Sequence, residues 1–213
     1  MMPIMYIVKH ESVERAMRVS REQVAENKKT ILEAAGRLFR ERGFDSVTVA
    51  DVMKSAELTH GGFYVYFKSK DDLIAQALAD VQERTAPRSA DLRGYAERYL
   101  SHSHLNNIAG GCPVAALASE AIRQPGGARA QMTAGLRRQI ETLSSLAPDA
   151  KEEDRRRDAI GSWAAMVGAV ILARMSDDPA LSSEVLSETR AWLATHRRGS
   201  PKRSARRKVR NAR

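Results

Sequence analysis

Apolar side chains recur at helical spacing along most of the chain, and this pattern predicts a fold built from helices. The first clear stripe consists of Ile31, Ala34, Ala35, Leu38 and Phe39. Gly43 follows shortly after it, at the kind of position where a glycine commonly ends a helix. We therefore expect a helix over residues 28–42, with Phe44 in the same small core.

Two short helices separated by a tight break are predicted between residues 47 and 67. The hydroxyl of Thr48 is expected to cap the first helix, while the Asp51 carboxylate returns a hydrogen bond in a capping box. The buried face of this helix comprises Val49, Val52, Met53 and Ala56. The helix, the break and the next helix have the spacing of a helix-turn-helix.

The second short helix is expected to begin at Thr59, which suits an N-cap. Gly61 and Gly62 leave its first turn without side-chain bulk, so that the backbone could approach a phosphate or a base edge. Ser69 and Asp72 repeat the capping-box arrangement at the start of the following helix.

The aromatic residues of the second short helix are expected to divide between its two faces. Phe63 and Phe67 are four residues apart and are predicted to point inward. Tyr64 and Tyr66 do not share that spacing and are left towards solvent.

Beyond Leu73 the pattern predicts four more helical segments, over residues 73–84, 92–105, from 113 onward, and 128–146. Two final stripes follow: Ile160, Trp163, Ala164, Val167, Val170 and Ile171, then Leu181, Val185, Leu186, Thr189, Trp192 and Leu193. Gly161 and Gly168 interrupt the first of these stripes, where another helix could pack closely.

Composition narrows the class of protein. The chain has 213 residues, 43% of them hydrophobic, which is enough for a sizeable core. A single cysteine excludes an internal disulfide and fits a reducing compartment. No uninterrupted apolar run approaches the roughly 18 residues of a membrane span, and the N-terminus lacks the pattern of a secretory signal. We therefore expect a soluble, cytoplasmic protein without a membrane partner.

Charge is concentrated at one end of the chain. The formal excess of +9 equals the nine basic side chains of residues 197–213, a stretch without acidic residues. We expect this tail to be disordered, either as a solubilising end or as an arm that binds phosphates. Residues 1–20 are interpreted as an N-terminal extension that is also flexible.

Two adjoining stretches of the N-terminal third carry a specific combination of motifs. They read ILEAAGRLFRERGFDSVTVADVMKSAEL and THGGFYVYFKSKDDL, with a helix, a GF pair, T-x-x-D and Y-x-Y-F-x-S-K in order. In these motifs the chain resembles the TetR/AcrR family of transcriptional regulators. The resemblance implies an all-α protein with a three-helix DNA-binding domain over residues 21–70. A helical bundle for effector binding and dimerisation would occupy residues 71–196.

The resemblance implies DNA contacts at Thr48, Thr59, His60, Gly61, Gly62, Tyr64, Tyr66 and Lys70. Thr48, Tyr64, Tyr66 and Lys70 would hold the DNA backbone, and the others would face base edges. A competing interpretation places both tyrosines partly in the core and leaves Lys70 as a solvated residue at a helix start. Since two glycines leave few side chains for reading bases, specificity is expected to depend on DNA shape.

The resemblance also implies that the last two helices pair with those of a second subunit. The implied interface comprises Ile160, Trp163, Val167, Val170, Ile171, Val185, Thr189 and Trp192. The alternative is that both stripes serve only the core of one subunit.

Cys112 is the one cysteine and precedes Pro113, which suits the first position of a helix. A thiol at that N-cap faces free amides and the positive end of the helix, conditions that lower a thiol pKa. Two interpretations stay open: a small buried hydrophobe, or an effector- or redox-sensing thiol as in some regulators of this family. Without a second cysteine, sensing would require an adduct, a sulfenic acid or a bridge between subunits.

Other chemistry has little support in the sequence. His102 and His104 do not share a helical face, and no metal-binding spacing accompanies them. The Gly110-Gly111 and Gly126-Gly127 pairs lack the remainder of any nucleotide-binding motif. We expect no metal, no cofactor and no catalysis.

The function expected from these observations is that of a homodimeric repressor on a palindromic double-stranded operator. A small-molecule effector, or modification of Cys112, would release it from DNA. Two alternatives differ in class: a DNA-organising or partner-binding protein with the same head and no inducer, and a thiol-dependent enzyme. A bundle without an apolar pocket would favour the first, and a base within reach of Cys112 would favour the second.

Overall fold

The computed structural model describes residues 5–84, 89–124, 126–146 and 151–196, with side chains from residue 21 onward except those of 152, 153 and 196. All regular structure in these ranges is helical, which confirms the predicted all-α fold. Residues 1–4 and the basic tail, 197–213, lie outside the described ranges, so the predicted disorder of that tail stays a prediction. The helices are α1 (Met5–Arg42), α2 (Val49–Ser55), α3 (Phe63–Tyr66), α4 (Lys70–Arg84), α5 (Leu92–Tyr99), α6 (His102–Asn106), α7 (Pro113–Ala121), α8 (Gly126–Ser145), α9 (Glu152–Met175) and α10 (Pro179–His196).

Helix α1 begins at Met5, well before the predicted start at residue 28. Among the helix's described side chains, which begin at residue 21, the first in the core is Ile31, and residues 21–26 are exposed. An apolar stripe marks the part of a helix that packs, and it does not mark where the helical hydrogen bonds begin. The predicted helix start was therefore wrong, whereas the flexibility of residues 1–20 stays a prediction.

A first hydrophobic core joins α1, α2, α3 and α4. The Phe39 and Phe44 rings meet edge to face with centroids 5.4 Å apart, and Phe63 stacks on Phe67 at 5.5 Å. Leu117 of α7 and Ala128 of α8 are buried in the same cluster. Residues 21–70, which we call the N-terminal head, are consequently packed directly against the helices that follow them.

A second core lies among α5, α6, α8, α9 and α10, and Trp163 and Met166 are buried in it. The single helix predicted over residues 92–105 is divided in two, because Leu100 ends α5 and Ser101 caps α6 by accepting a hydrogen bond from the His104 amide. The predicted continuity was wrong because the N-cap signal at Ser101 was overlooked.

One helix among the described residues, the segment Asp154–Met175 of α9, is long and apolar enough to cross a membrane by composition alone. This differs from the sequence-based expectation that no segment reaches that length. Its mean hydropathy is 1.3, and 39% of the window is buried inside the protein. The helix packs against α8 and α10, as the central helix of a bundle does.

Candidate functional site

Helix α2 has a capping box at its start and a tight backbone reversal at its end. Thr48 accepts a hydrogen bond from the Asp51 amide at 3.1 Å, and its own amide donates to the Asp51 carboxylate at 2.8 Å, which confirms the predicted capping box. The Thr48 hydroxyl also donates to the Asp51 carboxylate at 2.6 Å, and this bond, together with that from the Thr48 amide, holds the pKa of Asp51 below its usual value. Glu57 adopts a positive φ of 59°, so the chain turns sharply after α2.

The second helix of the motif is shorter than predicted. Residues His60–Gly62 form a 3₁₀ turn, and α3 ends at Tyr66. Thr59 holds the N-cap position in extended conformation, but its side chain makes no capping hydrogen bond. The predicted capping role of Thr59 was therefore wrong, and its exposed hydroxyl is left to face outward.

A contiguous exposed surface, which we call the reading surface, comprises Thr59, His60, Gly61, Tyr64 and Val65. Tyr64 and Val65 are 75% and 70% exposed although both carry large side chains. The surface stands on the buried, stacked pair Phe63 and Phe67, as the four-residue spacing predicted. Val65 was missed at the sequence level, since an apolar residue is expected inside.

The glycines of the reading surface have room around them. A Cβ added at Gly61 would meet no atom within 4 Å, and one at Gly62 would make only ordinary contacts, the nearest at 3.8 Å to Thr59. Packing within the chain therefore does not require either glycine. Their small size leaves space for a molecule that approaches from outside.

Tyr66 and Lys70 are less open than Tyr64. The Tyr66 ring packs against the first core, and its hydroxyl accepts a hydrogen bond from the Asn27 side chain at 3.0 Å. The expectation of a solvent-facing Tyr66 was thus wrong in part, because the ring packs against the first core and the hydroxyl is bonded to α1. Lys70 is half-buried at the first position of α4, and the exposed Lys68 precedes it.

A cavity of about 590 Å³ opens between α4, α5, α7, α8 and α9. Its aromatic wall is formed by Tyr95, Tyr99 and Trp163, with the two tyrosine rings stacked at 5.9 Å and Trp163 edge-on to Tyr99 at 5.1 Å. Polar groups of Gln82, Glu83, Arg98, Arg138, Gln139 and Thr142 line the remainder together with His104 and Cys112. This mixture of aromatic area and a few polar groups is typical of a small-molecule site.

Cys112 lies at the N-cap of α7, as its place before Pro113 predicted. It also lines this cavity. Burial raises the pKa of its thiol, although the Tyr99 hydroxyl and the amides of Val114 and Ala115 act in the opposite direction. The predicted lowering of the pKa was therefore wrong, since the loss of solvent around the sulfur outweighs the helix terminus.

His104 was missed as a structural partner of Cys112. Its Nδ1 lies 2.6 Å from the Tyr99 carbonyl oxygen, and its Nε2 accepts the Cys112 amide at 3.2 Å. These contacts fix a neutral ring with the proton on Nδ1, and burial lowers the pKa of His104. Both ring nitrogens of His104 therefore already have a backbone partner. In the part of the chain described, no group of three or more potential metal ligands occurs.

Two contacts connect the cavity region to the N-terminal head. The Glu120 carboxylate, at the far end of α7 from Cys112, accepts a hydrogen bond from the Phe44 amide at 2.7 Å. Arg40 near the end of α1 donates to the Ala109 carbonyl at 2.6 Å, beside the Gly110-Gly111 turn. Helix α7 therefore touches the cavity at one end and the α1–α2 turn at the other.

The residues predicted for a subunit interface divide into three groups by exposure. Trp163 and Val170 are buried in the second core of the single chain, as the alternative of a core within one subunit expects for these two residues. Val167, Val185 and Thr189 are half-buried. Ile160, Ile171 and Trp192 are exposed, as are Leu172, Met175 and Leu181, which the sequence interpretation did not include.

Comparison with known proteins agrees with this arrangement. Residues 31–77 match the family model described as bacterial regulatory proteins, tetR family, and residues 89–188 match the tetracyclin repressor-like C-terminal domain. The second match extends the similarity beyond the motifs of the N-terminal third.

Two curated relatives each match about a third of this chain. The chain is 38% identical over 69 residues to the HTH-type transcriptional regulator TtgR of Pseudomonas putida, which is 32% of this chain and 32% of that protein. It is 32% identical over 68 residues to the uncharacterized HTH-type transcriptional regulator YuxN of Bacillus subtilis, or 32% of this chain and 23% of that one. The chain spans about a quarter to a third of the length of the curated relatives it matches.

Solved structures share the fold over most of the chain. The reduced form of NemR from E. coli has a TM-score of 0.66 at 21% identity and covers 80% of this chain and 96% of its own. A TetR-family regulator from Agrobacterium tumefaciens has a TM-score of 0.67 at 20% identity and covers 81% and 98%. With both family models matched in order and the helical fold shared, this chain belongs to the TetR family of bacterial regulatory proteins.

Proposed function

We propose that this chain is a homodimeric transcriptional regulator that represses genes by binding a palindromic operator. The observation that carries the proposal is the reading surface, an exposed, glycine-containing turn fixed on two buried phenylalanines within the segment that matches the family. An exposed turn on a rigid base suits insertion into a major groove, because the backbone and short side chains can approach base edges. Tyr64, Lys70 and the Thr48 end of α2 supply contacts to the DNA backbone.

A ligand in the cavity releases the protein from DNA in this proposal. Helix α7 supports such a route, since it lines the cavity at Cys112 and holds the Phe44 amide through Glu120. A ligand that favours one position of α7 would favour one position of the head, and only such a difference shifts DNA binding. The cavity also favours a ligand-controlled regulator over a DNA-organising protein without an inducer.

Chromatin immunoprecipitation with the full chain tests the proposal. We expect discrete bound sites with a two-fold symmetric motif, its half-sites separated by about 35 Å or a multiple of that distance. Uniform coverage of the chromosome would support the DNA-organising alternative instead, and absence of enrichment would contradict both.

Modification of Cys112 is a separate route to release, and the raised pKa of the thiol disfavours it at neutral pH. Release of a bound operator by N-ethylmaleimide would be compared between the wild type and Cys112→Ser. If thiol modification is the trigger, the variant resists release while the wild type responds. If both proteins behave alike, Cys112 is only part of the cavity wall.

A further inference from the structure

The cavity is lined by aromatic rings and by charged side chains, and this combination indicates what kind of ligand it accepts. Tyr95, Tyr99 and Trp163 form a nearly continuous aromatic wall. Flat rings offer large contact area and favour another flat ring through stacked or edge-to-face geometry. A saturated ligand of equal volume would fill the same space without that preference.

The lining of the cavity contains more positively charged than negatively charged side chains. Arg98 on α5 and Arg138 on α8 both line the cavity, against the single carboxylate of Glu83. Arg138 donates to the neutral amide oxygen of Gln82 at 2.6 Å, so that hydrogen bond leaves its charge uncompensated. Arg98 donates to the Ser89 hydroxyl at 2.6 Å. The α7 N-terminus, with its partial positive charge, also opens on this space.

The Tyr99 hydroxyl has a sulfur atom as its neighbour and no stronger acceptor. Tyr99 is only 7% exposed, and its hydroxyl, beside the Cys112 thiol, makes no hydrogen bond to an oxygen or nitrogen atom of the described residues. Leaving a buried hydroxyl unpaired is costly, and an acceptor atom on a ligand would remove that cost. The cavity therefore offers a ligand the Tyr99 hydroxyl and the guanidinium groups of Arg98 and Arg138 as hydrogen-bond donors.

We propose that the cavity binds a planar aromatic molecule that carries one negative charge, such as an aromatic carboxylate. The ring system stacks against Tyr95, Tyr99 and Trp163, and the anionic group is held by Arg138 and Arg98. This inference rests on the proposed function, because it names the class of ligand that controls DNA binding.

The test uses three probes of similar size, measured by isothermal titration calorimetry on the full chain. Biphenyl-4-carboxylate has rings and charge, biphenyl-4-carboxamide has rings without charge, and bicyclohexyl-4-carboxylate has charge without rings. We expect biphenyl-4-carboxylate to bind most tightly, by about threefold to tenfold over each of the others.

Arg138→Gln removes the charge while retaining a hydrogen-bonding side chain. We expect this variant to lose about threefold to tenfold in affinity for biphenyl-4-carboxylate and to keep its affinity for the carboxamide. Arg137→Gln is the matched control, because Arg137 is exposed on the same helix and does not line the cavity. Tyr99→Phe tests the hydroxyl alone and should weaken both biphenyl ligands if it meets the ligand.

Several outcomes overturn the proposal. Equal affinities for the carboxylate and the carboxamide would remove the role of charge, and equal affinities for the aromatic and saturated acids would remove the role of the rings. Absence of binding by every probe at about 1 mM would remove the site itself. Gel-shift binding of operator DNA without any probe is measured in parallel, so failure of the ligand assignment is distinguished from failure of DNA recognition.

Discussion

Burial and the helix terminus have opposite effects on the pKa of the Cys112 thiol. The positive end of α7 and nearby donors stabilise the thiolate, while burial removes the water that would solvate it. Burial has the larger effect, and the pKa of the Cys112 thiol is raised above its ordinary value of 9.0.

Alkylation by iodoacetamide should therefore be slower at neutral pH in the folded protein than in the chain unfolded by denaturant. A raised pKa means that the folded protein keeps the proton after the unfolded chain has released it, so its rate profile is displaced to higher pH. Because the chain has one cysteine, mass spectrometry follows a single adduct. A folded protein that reacts as fast as the unfolded chain, or faster, would restore the sensor interpretation.

Variants of Tyr64, in the reading surface, and of Lys70, at the start of α4, test the proposed contacts with the DNA backbone. The double variant Tyr64→Ala plus Lys70→Ala should bind every DNA sequence more weakly, since phosphate contacts carry no sequence information. Loss of the lysine charge should also make the dependence of log affinity on log salt shallower by about one. Gel shifts at several salt concentrations measure both effects.

One control variant accompanies that measurement. Lys151→Ala removes an exposed charge at the start of α9, far along the chain from the DNA-binding domain, and should leave the salt dependence unchanged. If the double variant binds as the wild type does, the assignment of Tyr64 and Lys70 is wrong.

Among the elements, α7 has contacts at both ends that a stability measurement can separate. The Glu120 carboxylate accepts from the Phe44 amide, and Gly43 beside it has a φ of +82°, where a Cβ would lie 2.5 Å from Glu120 Oε1. Glu120→Ala should lower the free energy of unfolding by about 1–2 kcal/mol, because the part-buried amide loses its acceptor. Urea denaturation measures this change.

Glu120→Gln retains an oxygen that can accept from Phe44 and should cost less than the alanine variant. Glu141→Ala provides the control, as Glu141 is an exposed glutamate on α8. An alanine variant at position 120 as stable as the wild type would show that the contact contributes nothing to the junction between head and bundle.

The sequence predicted correctly those features that depend on residues near each other in the chain. Thr48 with Asp51 marked the start of α2, and Pro113 marked the start of α7. The four-residue spacing of Phe63 and Phe67 likewise identified the buried side of α3. These features depend on residues within one or two turns of each other, so the pattern itself contains them.

Features that depend on distant residues could not be predicted in the same way. Trp163 belongs to an apolar stripe, but whether it faces a second subunit or Tyr99 depends on where α5 packs. The contact of His104 with Cys112 likewise requires the turn between α6 and α7 to close. The predicted shift of the Cys112 pKa had the wrong direction for the same reason, because burial of the thiol is a property of the assembled bundle.

At the scale of the whole molecule, α9 and α10 present one exposed apolar face. It contains Ile160, Ile171, Leu172, Met175, Leu181 and Trp192, each at least 42% exposed. A face of this kind usually marks a site of association. Gly161 and Gly168 lie on the same helix, and a Cβ added at either would meet no atom within 4 Å of the chain itself. The small residues are thus unnecessary inside one subunit and would allow a helix of a second subunit to approach.

Variants on this face should convert a dimer into a monomer. Ile171→Glu places a charge in the proposed subunit interface, where burial of an unpaired carboxylate is strongly unfavourable. Leu136→Glu is the control, since Leu136 is 41% exposed on α8 and outside the face. Light scattering after size-exclusion chromatography should give a dimer for the wild type and the control, and a monomer for Ile171→Glu. A monomeric wild type would contradict the proposed assembly.

Gly168→Leu distinguishes an interface from a merely exposed face by the sign of its effect on stability. Glycine in a helix interior is less favourable than leucine by up to about 1 kcal/mol, so the substitution should raise Tm if Gly168 faces only solvent. If a partner helix packs there, the larger side chain separates the helices, the dimer weakens, and Tm falls and becomes more dependent on protein concentration. We expect the fall, because nothing within the subunit accounts for a glycine at that position.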